Sequence, residues 1–61
     1  MYYYYKKCLE FIENATEAAG LYDGIRAILR EADRRGKHPE DWHIKTLQRA
    51  ADAKYIELGG R

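Results

Sequence analysis

Residues 15–25 read Ala15-Thr16-Glu17-Ala18-Ala19-Gly20-Leu21-Tyr22-Asp23-Gly24-Ile25, and their reading decides whether the first half of the chain is one long helix or two shorter ones. Tyr4, Cys8, Phe11, Ala15, Ala18, Tyr22, Ile25, Leu29 and Ala32 keep a single four-three spacing straight through this stretch, which suits an unbroken helix. Against continuity stand Gly20 and Gly24, each costing about 1 kcal/mol relative to Ala inside a helix, and Asp23, a good N-cap for a helix beginning at Gly24. A turn at Gly20 is the favoured reading, and a continuous helix stays open as the alternative.

Upstream of the turn, residues 2–19 form a broad apolar face, with Tyr5, Leu9, Ile12 and Ala19 flanking the main row and Lys6, Lys7, Glu10, Glu13 and Glu17 on the other side. Downstream, residues 21–35 carry Leu21, Ile25, Ile28, Leu29 and Ala32 on one face and end in Arg34-Arg35-Gly36, as a helix C-terminus does. The third segment has Pro39 placed for the first helical position, Glu40 and Asp41 in the first turn, and Gly59 as its stop. Its apolar row is Ile44, Leu47, Ala51, Tyr55 and Leu58.

Composition agrees with helices. There are eight Ala, five Leu and five Ile, no Val or Ser, and Thr only at positions 16 and 46, so strand formers are scarce outside the tyrosines. The expected fold is all-α: a single domain over residues 1–61 of two or three amphipathic helices. A chain of 61 residues has little core of its own, and its one cysteine permits neither an internal disulfide nor a thiolate zinc site. Homodimerisation is therefore expected to complete the helices into a bundle, with Tyr4, Phe11, Tyr22, Ile25 and Leu29 in the dimer interface.

Four consecutive tyrosines cannot all face one core, since neighbouring side chains on a helix point about 100° apart. Some are left for a partner, and tyrosine suits protein interfaces or, less often, base stacking. Although the net charge is only +1, a positive excess of +2 lies in residues 21–38. There Arg26, Arg30 and Arg34 follow at i,i+4 and are extended by Arg35 and Lys37, a ridge that can meet phosphates or an acidic partner.

Catalytic chemistry is not expected. No serine is present, Cys8 lies on the apolar face, and the spacing of His38 and His43 does not put both imidazoles on one helix face; both are read as surface or helix-start residues. No cofactor or metal is implied. Apolar runs far below the roughly 20 residues of a membrane span point to no membrane contact and a cytoplasmic location, in the host cytoplasm if the protein is phage-encoded.

Two family resemblances rest on these residues. Arg49-Ala50-Ala51-Asp52, then Glu57-Leu58 and Gly59-Gly60-Arg61, resembles the third-helix signature of the Hha/YmoA family of small helical nucleoid modulators, which bind a partner protein through acidic residues. That likeness implies Asp52 as a partner-contacting carboxylate. In overall build, opening Met1-Tyr2-Tyr3-Tyr4-Tyr5-Lys6-Lys7 and free of catalytic motifs, the chain is similar to the small helical proteins of lambdoid phage early regions, the exo-xis segment in particular. The role implied is non-enzymatic: modulation of host or phage processes through contacts with a host protein. A small DNA-binding transcriptional regulator using the basic helix face is the alternative.

Overall fold

The computed structural model describes residues 2–60; Met1 and Arg61, which open the tyrosine tract and close the Gly-Gly-Arg end, lie outside the described residues. Three helices account for the fold: α1 (Tyr3–Asn14), α2 (Leu21–Arg34) and α3 (Asp41–Glu57). The described residues contain no strand.

The turn at Gly20 is present, and the continuous helix is excluded. Gly20 sits in the left-handed region at φ 80° as the N-cap of α2, and the Gly24 N–H donates to its carbonyl at 2.9 Å. Helix α1 ends earlier than its alanines suggest. Ala15 is already extended at φ −66°, ψ 136°, and residues 15–20 form the connection. Gly24 is no breaker, because it lies inside α2, and Asp23 stands in the first turn rather than at the cap.

Both later helices close with a Schellman turn. After α2 the Lys37 N–H reaches the Ala32 carbonyl at 2.8 Å and Gly36 reaches Asp33 at 3.0 Å; after α3 Gly60 reaches Tyr55 at 2.8 Å and Gly59 reaches Ile56 at 3.0 Å. Gly36 (φ 71°) and Gly59 (φ 87°) occupy the left-handed position that this motif requires. At the start of α3, Glu40 is the N-cap, so Pro39 precedes the helix instead of opening it. The cap is reciprocal: the Glu40 N–H donates to His43 Nδ1 at 3.0 Å, which leaves the ring proton of a neutral His43 on Nε2.

Cross-helix contacts fix the directions. Tyr2, before α1, donates its hydroxyl to the Lys37 carbonyl, after α2, so these helices run antiparallel. Lys54 Nζ of α3 reaches the Glu13 carbonyl at 3.4 Å, covering the open C-terminal end of α1, while His43 meets Tyr5 at 4.9 Å between ring centroids. Helices α1 and α3 are therefore parallel, and α2 runs antiparallel to both.

The core is built within one chain from Cys8 and Ile12 of α1, Leu21 and Ile25 of α2, and Leu47 and Ala51 of α3. Burial pushes the Cys8 thiol up to about 11, so it stays protonated and unreactive at neutral pH. His43, read from the sequence as a surface or helix-start residue, does stand in the first turn of α3 but is buried at 7 % exposure against the first turn of α1. Its spacing with Leu47 and Ala51 carries that signal: all three lie on the buried side of α3.

Candidate functional site

Helix α1 packs on both partners, whereas α2 and α3 meet each other least and leave a groove between them. The groove holds about 200 Å³ and is lined from α2 by Tyr22, Ile25, Arg26 and Leu29 and from α3 by Ile44, Leu47, Gln48 and Ala51. Each helix supplies positions i, i+3, i+4 and i+7, the pattern by which a helix presents one continuous stripe. Ile44 keeps 44 % of its surface exposed, and Tyr22 and Leu29 are half-buried. An apolar stripe thus remains open beside a core that is already closed.

At one end of the groove Tyr22 packs on Tyr55 with 5.3 Å between ring centroids and donates its hydroxyl to Asp52 Oδ1. That hydrogen bond, with the neighbouring negative charge, pushes the Tyr22 phenol from the ordinary 10.0 up to about 12. Because the folded-state value lies above the unfolded one, the contribution to stability is fully present below pH 10 and is lost as pH rises through 12. In a spectrophotometric titration Tyr22 should ionise well above pH 10, and Asp52→Asn should return it toward 10. Identical titration curves for the two proteins would contradict this assignment.

The residues expected in a dimer interface separate into three places. Tyr22, Ile25 and Leu29 come together in the groove, although Ile25 is spent largely on the chain's own core at 8 % exposure. Phe11 lies over Gly24 on the α1–α2 side, and Tyr4 lies at the far end beside Arg35. Ile44 was not among the expected interface residues; its place in the apolar row of the third segment was the signal for it.

The arginine ridge is present on α2, but acidic neighbours divide it. Arg26 stands 3.7 Å from Asp23, while Arg34 and Arg35 both pair with Glu31, Arg35 Nε at 2.8 Å from Oε1. The hydrogen bonds from Arg35 and Arg34 hold the Glu31 carboxyl below its usual range. Arg30 and Lys37 have no ion-pair partner among the described residues. Asp52 is exposed, yet already accepts the Tyr22 hydroxyl.

Among the described residues no group of three or more His, Cys, Asp or Glu could hold a metal ion, and no helix is long and apolar enough to cross a membrane. The fold and this groove define a small all-helical protein with an open interhelical stripe. No family model, curated protein or solved structure matches the chain.

Proposed function

We propose that the protein is a small non-enzymatic interaction protein, acting as a homodimer in which the α2–α3 groove of one copy packs against the same face of the other. The observation that carries this reading is the open apolar stripe of Tyr22, Leu29 and Ile44 above a completed core. A second copy suits it for two reasons. The stripe is bordered by charges of both signs, Asp23 and Arg26 on α2 and Lys45 and Asp52 on α3, so two copies related by a two-fold axis can place opposite charges together. The chain also exposes 4608 Å², about a tenth more than an average monomer of its 7.2 kDa mass, so a chain this small gains from surface buried against a partner. The likeness to phage early-region proteins supports a regulatory role through contacts with host proteins.

Sedimentation equilibrium tests the dimer. The wild-type chain should be a dimer at micromolar concentration with little dependence on salt, and Ile44→Glu should be a folded monomer, since Ile44 already tolerates water in the single chain at 44 % exposure. A wild-type protein that stays monomeric at high concentration, or an Ile44→Glu variant that dimerises as well as wild type, would overturn the reading.

A further inference from the structure

At the opposite end of the molecule from the Tyr22–Tyr55 pair, the tyrosine tract builds a platform that the groove does not use. Tyr3 meets Tyr4 edge-on at 5.0 Å between centroids, Tyr4 meets Tyr2 at 5.8 Å, and Tyr2 meets His43 at 4.8 Å. This run of rings is anchored at its inner end by the buried His43 and by the Tyr2 hydroxyl donating to the Lys37 carbonyl. Its outer end is open, because Tyr3 keeps 61 % of its surface exposed. Two adjoining clefts of about 400 and 390 Å³ share a wall of Tyr3, Tyr4 and Arg35; Tyr2 and Lys37 complete the first, Lys7 and Glu31 the second.

Charge at the platform favours an anion. Lys7 Nζ lies 5.7 Å from the centre of the Tyr3 ring, Lys37 and Arg35 stand beside Tyr2 and Tyr4, and Glu31, the one carboxylate among the described residues that line either cleft, is held by Arg34 and Arg35. The first turn of α1 contains no acidic residue, so nothing there opposes the positive end of that helix. The other aromatic end differs, since Trp42 donates its indole N–H to Glu40 and is followed back along the chain by Asp41. The anion-compatible site is the Tyr3–Tyr4 end.

We propose that this platform binds single-stranded nucleic acid, with two successive bases against the Tyr3–Tyr4–Arg35 wall, one in each cleft, and their phosphates met by Lys7, Arg35 and Lys37. An exposed tyrosine ring beside cations is what an unstacked base requires, because every base offers a π-face and the backbone a regular negative charge. A duplex keeps its base faces stacked and cannot use the rings. The clefts fall in the size range of small-molecule sites, and each accommodates a unit of nucleotide size. The site is separate from the α2–α3 groove and does not depend on dimerisation.

Fluorescence anisotropy with labelled oligothymidylate and oligouridylate of about ten nucleotides tests the proposal on the full chain. Three phosphate contacts give a salt exponent of about −2, so raising salt from about 50 to 200 mM should weaken binding about twentyfold. Tyr3→Ala should weaken it by about five- to hundredfold while Tyr3→Phe retains it, since stacking needs the ring and not the hydroxyl. Lys37→Glu should weaken binding, whereas the same charge reversal at the exposed α3 residue Arg49 should leave it unchanged. Tyr3 and Lys37 are exposed, so these variants keep the fold, which circular dichroism checks. Absence of binding to either strand at low salt, Tyr3→Ala binding like wild type, duplex DNA binding as tightly as single strand, or a tyrosine-phosphorylated peptide binding more tightly than either would overturn the proposal.

Discussion

Leu21→Ala should leave the chain largely unfolded, or lower its melting temperature by at least about 10 °C. Leu21 is 1 % exposed at the first position of α2, where the chain has just turned back from α1, and it joins Cys8, Ile12 and Leu47 in the core. Removing a buried leucine side chain to the β-carbon costs about 2–5 kcal/mol. A chain of 61 residues has about 3–9 kcal/mol in all, at about 0.05–0.15 kcal/mol per residue, so one such cavity consumes much of the total. At about 4–8 °C per kcal/mol, the shift is far outside measurement error. Ile56→Ala is the matching control: at 72 % exposure it should melt within a few degrees of wild type. If the Leu21 variant did the same, the core would have been assigned to the wrong residues.

Three helices were legible because each segment repeats its apolar residues at helical spacing and because glycines stand where two of the helices end, at Gly36 and Gly59, and before α2, at Gly20. What failed was the length of α1. Ala15, Ala18 and Ala19 favour helix locally and extend the apolar row, but alanine contributes little buried surface, so intrinsic preference alone was left to hold that turn and the return to α2 prevailed. The same limit explains why a shared heptad phase across Gly20 was no guide. Tyr22, Ile25 and Leu29 face the same interior as Cys8 and Ile12, yet from an antiparallel helix. In the candidate groove the α2 side could be read, since Tyr22, Ile25 and Leu29 form an obvious stripe. The α3 side depended on knowing that α1 packs on α2 more closely than α3 does. Pairwise helix placement is a tertiary fact that no single stripe encodes.

His43 shows a similar limit at a single residue. Its ring is buried among Tyr2, Tyr5 and Trp42, and its Nδ1 accepts the Glu40 N–H, so it serves as the polar half of a helix cap and as a packing residue together. The usual capping signature has a short hydroxyl side chain first and a carboxylate or amide third. Here a glutamate comes first and an imidazole third, and a search for the common pattern passes over it.

Gly24 supplies the last expected result, one in which the sign of a substitution reverses with its background. Inside a helix glycine is about 1 kcal/mol worse than alanine, so Gly24→Ala should stabilise α2 if propensity were the whole account. The Phe11 ring lies directly over Gly24, however, and a β-carbon there would occupy the space of the ring's far edge. Phe11 is 37 % exposed, so the ring can swing outward instead of tearing the helices apart, but it then gives up the apolar contact that joins α1 to α2. That contact is worth about 1–2 kcal/mol, less than the 3–5 kcal/mol of a fully buried phenylalanine. Gly24→Ala should therefore be neutral to destabilising by about 1 kcal/mol in the wild-type chain. In a Phe11→Ala background the same change should stabilise by about 1 kcal/mol, because only the helix preference remains. The coupling of about 1–2 kcal/mol, read from a four-protein cycle of urea melts, exceeds the roughly 0.5 kcal/mol within which independent sites add. Additive effects would mean that glycine at this position serves something other than the seat of the Phe11 ring.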